Sequence, residues 1–222
     1  LHEEQLAKIT VEQEMKVLRA QMNPHFIFNA LNSIHNCILN KDTLTASNNL
    51  TKFSRLIRRI LDNTRNTLCS LSEEITTLEL YVELEKMRFE GNFQFNINVD
   101  LELNQNELYL PTLIIQPFIE NSIWHGLMPS QKPGIITLDV MAEEQLLIIS
   151  IEDNGVGRDF TRLNNEPKTH DSVGLTLTAD RIRYFNEGLT IENPLKIIDL
   201  FDSFGKPTGT KVEILLKRYE RV

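Results

Sequence analysis

Between residues 3 and 66 the chain has no glycine and a single proline, Pro24, so the two residues that most often interrupt regular structure are nearly missing from its first third. That stretch reads as helix. Cysteine is scarce too. Cys37 and Cys69 are the only two in 222 residues, and they lack the spacing of metal ligands. A reducing, cytoplasmic compartment fits this usage better than a disulfide framework. No run of about 18 apolar residues exists to span a bilayer, and no signal peptide opens the chain. Because the first residue is Leu1 rather than methionine, we expect a piece of a longer protein whose upstream part, membrane spans included, lies outside this sequence. Positive charge is also short: 23 Lys and Arg against 31 Asp and Glu leave a net charge of −8. That argues against nucleic acid as a partner, since phosphate backbones are bound by clustered cations. The deficit is uneven. Residues 1–70 hold 9 basic against 6 acidic side chains, a balance of +3, whereas the remainder holds 14 against 25, or −11. Two separately built halves are implied.

What is present is enough apolar material for a core, 41% hydrophobic residues against 24% charged, as in ordinary globular chains. Val11, Met15, Leu18 and Met22 follow the 4-3-4 spacing of a coiled-coil or bundle seam, and Leu31, Ile34 and Ile38 continue a similar stripe. After a break near Asn40 to Asp42, a second helix from about Thr43 to Asn66 points Leu50, Phe53, Leu56, Ile57, Ile60 and Leu61 inward. Two helices with one apolar stripe each make a poor core by themselves. Pairing with a second copy as a four-helix bundle is the economical solution, so a homodimer is expected. Past a boundary near Cys69 to Leu71 the pattern changes. A helix from Leu71 to Arg88, starting at Ser72 with Glu73 and Glu74 in its first turn, precedes strand candidates Phe93–Val99, Ile135–Val140, Leu146–Glu152, Ile197–Leu200 and Lys211–Leu216. Helices near Thr112–Leu127 and Leu175–Phe185 lie between them. The class is α+β, with a mixed sheet layered against helices.

Four short segments carry chemistry. In QMNPHFIFNALNSI, residues 21–34, Pro24 has no N–H for the carbonyl one turn back, so the helix bends there or restarts with Asn23 as its cap. Either way His25 stands where backbone N–H groups are freed. Their positive potential disfavours imidazolium and keeps a ring nitrogen available as a nucleophile, and an ordinary histidine titrates near ~6.5 in any case. A surface histidine on a kinked helix reads equally well from this stretch alone. In PFIENSIWHG, residues 117–126, Glu120 and Asn121 precede Trp124 and His125 by one turn on an otherwise apolar helix. Such polar groups need partners: an Asn oxygen suits a hydrated Mg²⁺, and so do plain packing roles. DNGVG, residues 153–157, is a turn that also suits an adenine amino group on Asp153 with backbone room at Gly155 and Gly157. In SVGLTLTADRI, residues 172–182, Gly174 opens a helix, where N–H groups can meet phosphates. The polar segment 158–172 between the last two reads as a mobile lid.

In this order the segments resemble the sensor histidine kinases of the LytS-like group, whose phosphoacceptor box NPHFxFN is matched from Asn23 to Asn29. They also resemble the GHKL ATP-binding fold shared with gyrase. The resemblance spans nearly the whole chain. It implies dimerisation and phosphotransfer helices over residues 1–69, a four-helix bundle as a dimer, and an α/β-sandwich ATP-binding domain over residues 70–222. By the resemblance His25 is phosphorylated from ATP and passes the phosphoryl group to a response-regulator receiver domain. Asn121 is the Mg²⁺ ligand, and Asp153, Gly155 and Gly157 hold adenine. Gly174 and Leu175 lie beside the phosphates. Phe26 stands where many such kinases carry an acidic residue, leaving Glu120 as the candidate general base. Trp124 stands where a lysine is common, so a phosphate contact is either lost or moved to His125. Ser172 replaces a frequent glycine. A location as the cytoplasmic portion of an inner-membrane protein is implied. Two rival readings remain: an ATPase clamp of the same fold, and a signalling scaffold without catalysis.

Overall fold

The computed structural model describes residues 24–87, 93–130, 132–158 and 171–220. The seam Val11, Met15, Leu18 and Met22, the cap candidate Asn23, and residues 159–170 of the expected lid lie outside them. Two compact units emerge, Leu1–Leu68 with Ile75–Glu90, and Cys69–Glu74 with Gly91–Val222.

The first unit is a helical hairpin, α1 (Pro24–Leu39) and α2 (Thr43–Arg65). Its turn is where the sequence places it. Lys41 takes a left-handed φ of 61°, and the Asp42 carboxylate caps α2 by accepting the N–H of Thr45 at 3.1 Å; the Thr45 hydroxyl first, and this N–H second, hold the exposed acid below its usual range. Phe26, Ala30 and Ile34, spaced one turn apart, are buried with Ala46, Leu56 and Ile60 of α2. The helix α3 (Leu71–Lys86) joins this unit from Ile75 onward and contributes Tyr81, whose ring lies 4.9 Å from that of Phe26. Within one chain the stripe is only half used: Leu31, Ile38, Leu50 and Leu61 are exposed, as are Phe28 (67%) and Leu44 (73%). Among the described residues no helix is long and apolar enough to cross a membrane.

α3 starts one residue earlier than the sequence suggests, because its cap is Ser70 rather than Ser72. Ser70 Oγ accepts the N–H of Glu73 at 3.2 Å while Glu73 takes back the Ser70 N–H at 2.9 Å, a reciprocal capping box. Glu74 turns the other way and is fully buried.

The second unit is a two-layer sandwich. Besides β1 (Leu68–Ser70) and β3 (Tyr109–Pro111), which pair with each other, it has a five-stranded sheet of β2 (Phe93–Val99), β4 (Gly134–Glu143), β5 (Leu146–Asp153), β6 (Leu195–Phe201) and β7 (Pro207–Lys217). The strand order is β2-β4-β5-β7-β6, with β2 parallel to β4 and the other pairs antiparallel. The sheet is mixed, as expected. Period-2 alternation assigns its faces. Ile136, Leu138, Val140, Ile149, Ile151, Ile214 and Leu216 are buried against α4 (Gln116–Asn121), its π-helical continuation (Ser122–Leu127), and α5 (Asp171–Phe185). The opposite face carries polar pairs such as Lys211 with Glu213 at 3.1 Å and Asn98 with Asp139 at 2.7 Å. Two helix boundaries differ from expectation. The helix placed at Thr112 begins at Gln116, since Leu113 has a left-handed φ of 54° that no helix continues. α5 begins at Asp171, so Gly174 is its fourth residue instead of its opening.

Candidate functional site

Along β5 the inward positions are Leu147, Ile149, Ile151 and then Asp153. Alternation therefore drives a carboxylate onto the core face at the strand's end, where it is 4% exposed. Burying an ionised acid costs several kcal/mol unless donors compensate. Here they do: Asp153 Oδ2 accepts the Ser122 hydroxyl at 3.0 Å, Oδ1 accepts the Gly155 N–H at 2.9 Å, and the Thr210 backbone adds a third bond. Burial still outweighs these and lifts the carboxyl above its ordinary range. A carboxylate has about four lone-pair sites, so three donors leave one free for a ligand N–H. A structural acid would be cheaper as an aliphatic; a buried, strained titration marks a functional candidate.

Glycines let the surrounding backbone close on that carboxylate. A Cβ on Gly126 would lie 2.8 Å from Asp153 Oδ1, and one on Gly155 would lie 2.3 Å from the Gly126 carbonyl carbon. A Cβ on Gly209 would meet the Asp153 carbonyl oxygen at 1.9 Å, at a φ of 151°. The Val156 N–H bonds the Gly126 carbonyl at 3.0 Å, zipping the loop to the π-helical turn. The wide π turn itself is closed by the Met128 N–H on Ile123 O at 2.9 Å. Such turns recur at functional sites, where an inserted residue re-aims side chains. Beyond Gly155, Gly157 takes φ 73° against Pro207, and Arg158 forks onto the Asp199 carboxylate at 2.6 and 2.7 Å, tying the loop's exit to β6. Asn154 fastens its entrance, accepting the Ile135 N–H at 2.7 Å and donating to Pro133 O at 3.1 Å.

The structure thus brings Asp153 and Gly155 against the helix bearing Glu120, Asn121 and His125, all three half-buried. Gly157 lies on the same loop. Gly174 and Leu175 stand in the N-terminal part of α5, which packs on α4. Gly174 is the fourth residue of that helix. Its carbonyl accepts the Thr178 hydroxyl at 2.9 Å, and a Cβ there would meet nothing within 4 Å. His25 belongs to the other unit, in the first described turn of α1. Ser122, Gly126 and Gly209 pack on Asp153 and are lacking from the sequence reading; a serine following EN and the glycines of HG and TGT were the available signals. Among the described residues no three His, Cys, Asp or Glu side chains converge as a metal cage.

The two glycines should behave oppositely on substitution. Gly155→Ala forces Cβ into the Gly126 backbone and is expected to cost about 3 kcal/mol, read as a lowered urea midpoint. Gly174→Ala, in an open helical position, is expected to stabilise by about 0.5–1 kcal/mol in the same measurement.

A family model described as histidine kinase matches residues 13–93. The chain is 37% identical over 183 residues to the sensor histidine kinase BtsS of Escherichia coli K12, an alignment covering 82% of this chain and 30% of BtsS. It is 35% identical over 157 residues to the sensor protein LytS of Oceanobacillus iheyensis, covering 71% and 26%. The chain thus spans under a third of the length of these relatives. Among solved structures, the mycobacterial sensor histidine kinase MprB aligns at a TM-score of 0.46 and 14% identity, covering 69% of this chain and 98% of that one.

Proposed function

The chain belongs to the histidine kinases, in the LytS-like group of sensor kinases, and on that premise we propose that it autophosphorylates His25 from ATP and passes the phosphoryl group to a response-regulator aspartate. The observation that carries this reading is Asp153, a buried carboxylate with an acceptor position left open in a cradle of glycines. That acceptor fits the amino group of adenine. Gly155 and Gly157 shape the loop that presents Asp153 to the adenine, and Gly174 and Leu175, in the N-terminal part of α5, stand on the phosphate side. Mg²⁺, held by Asn121 together with phosphate oxygens and water, would supply charge neutralisation on the transferring group; with a single protein oxygen, this matches how that ion is usually bound. His125 contributes a further phosphate contact.

The reaction needs little covalent help from the protein, mostly positioning. The neutral His25 ring attacks the γ-phosphorus in line. An N–P bond forms as the bond to the β–γ bridging oxygen breaks, ADP leaves, and the ring proton passes to a base for which Glu120 is the candidate. Residues 1–69 serve as the phosphoacceptor and dimerisation part and residues 70–222 as the ATP-binding part. The reaction requires the two to approach, a motion an upstream signal can bias. The exposed apolar side chains Phe28, Leu31, Leu44 and Leu50 support a homodimeric four-helix bundle, since a monomer rarely leaves such a face to water. This chain is then the cytoplasmic portion of an inner-membrane sensor, with no nucleic-acid partner.

Incubation with γ-labelled ATP tests the reading against its rivals. Acid-labile, alkali-stable label on the chain supports the kinase. Free phosphate without protein label supports an ATPase clamp, and neither supports a scaffold. In the same assay Gly174→Ala is expected to weaken ATP binding by about fivefold although it stabilises the helix, because the methyl group intrudes where phosphate meets backbone.

A further inference from the structure

The helix that carries Glu120, Asn121 and Ser122 has no cap of its own. Its N-cap residue is Ile115, which makes no side-chain capping bond. The backbone just ahead of it, Thr112 to Ile115, is irregular and fully buried, with Leu113 held at φ 54°. Buried N–H groups in such a loop must find acceptors. They find one side chain: Glu74, 0% exposed, takes the Leu113 N–H on Oε2 at 2.8 Å and the Ile115 N–H on Oε1 at 3.1 Å. The Cys69 thiol lies 3.6 Å from the same Oε2. From the other side Arg181 of α5 donates to the Thr112 carbonyl. An acidic side chain from α3 and a guanidinium from α5 thus grip successive peptide groups of one loop, and the carboxylate lies at the positive end of the helix dipole.

We infer that Glu74 is a positioning residue for the nucleotide site: it caps α4 from a distant helix and so fixes where Asn121 and the Ser122–Asp153 pair stand. The inference rests on reading that helix as nucleotide-facing. Glu74 touches no reacting atom. Its effect passes through the rigid segment between Ile115 and Ser122, along which a small rotation at the cap is carried to both the metal-ligand candidate and the hydroxyl that orients the Asp153 carboxylate. A loop held in a left-handed leucine conformation persists only while its surroundings over-determine it. Glu74 and Arg181 supply that over-determination. With one partner lost, Leu113 relaxes toward ordinary φ and the start of α4 shifts with it.

Glu74→Gln is the test, because it keeps the shape while turning one of the two acceptors into an N–H that faces another N–H. Two measurements on the full chain decide it, hydrogen exchange by peptide and ATP affinity by calorimetry. We expect peptides covering 113–128 to exchange about tenfold faster, with the β5 peptide 146–152 within about twofold of wild type, since local opening is confined to the uncapped segment. ATP affinity should fall about fivefold or more through the displaced site helix. Unchanged exchange, or uniform acceleration over the second unit, overturns the cap. Local acceleration with unchanged ATP affinity overturns the positioning role. A wild type that binds no ATP, with the local exchange pattern intact, sinks the nucleotide reading and leaves the cap standing. Should Glu74→Gln fail to fold, Arg181→Met loosens the same loop from its other side and is read by the same two measurements.

Discussion

His25→Gln is expected to reduce labelling of the chain by γ-labelled ATP about a thousandfold or more, to background, with ATP affinity within about twofold of wild type. The size follows from removing the attacking atom itself, since the amide nitrogen of glutamine is no nucleophile and no neighbouring group replaces it. The intact affinity follows from the division of the chain: every group that holds nucleotide in the proposed site belongs to the second unit, and His25 belongs to the first. His35 provides the internal control. It lies on the same helix, ten residues on, and is exposed, yet it sits within an unbroken helix where the N–H groups are bonded to the preceding turn. If exposure of an imidazole were sufficient, His35 would accept the label and His25→Gln would retain it. Mass spectrometry that places the phosphoryl group on His35 would reject the assignment of position 25.

Asp153→Asn is the second large effect. Asparagine can keep the local geometry, accepting the Gly155 N–H with its oxygen and donating to Ser122 with its amide. The negative charge that draws the adenine amino group is lost, and the amide presents a donor where an acceptor is needed. ATP affinity is expected to fall about tenfold to a hundredfold by calorimetry, as for a charge-assisted bond replaced by a mismatch. Stability should move the other way. Because burial lifts the folded-state pKa of Asp153 above its unfolded value, the folded chain holds its proton to higher pH. Below about pH 4 both states are protonated, and the acid is at no disadvantage. As pH rises through the lifted folded value, the wild type loses stability that the asparagine variant keeps, and the gap in melting temperature widens in the variant's favour before levelling off. Glu74, which burial also pushes upward, is common to both chains and cancels in the comparison. A variant that melts lower than wild type at neutral pH would contradict the assignment of net electrostatic cost to this carboxylate.

Where the signal was local, the sequence could be read. The Asn40 to Asp42 break holds because Lys41 and Asp42 supply the turn and cap themselves. β2 is recovered to the residue, and β5 to within one, because alternation needs only the strand's own residues. The turn that ends β5 was legible in the DNG segment for the same reason. What escaped depends on remote contacts. The late start of α4 is imposed by Glu74 from 41 residues away, and the π turn by a loop closing on Gly126. β1 and β3, three residues each, are too short for any period to show. Ser122 looks like one more small residue on an apolar helix until the Asp153 carboxylate is placed beside it. Half of the apolar stripe on α1 and α2 was expected inward and is exposed in the single chain.

One feature of the π turn gives the molecule an optical reporter of its own. Trp124 is the sole tryptophan in the sequence, and it lies between the serine that holds Asp153 and the glycine that presses on it. Indole emission answers to the polarity and packing around the ring, so the arrival of a nucleotide should be visible in the protein's native fluorescence without any attached dye.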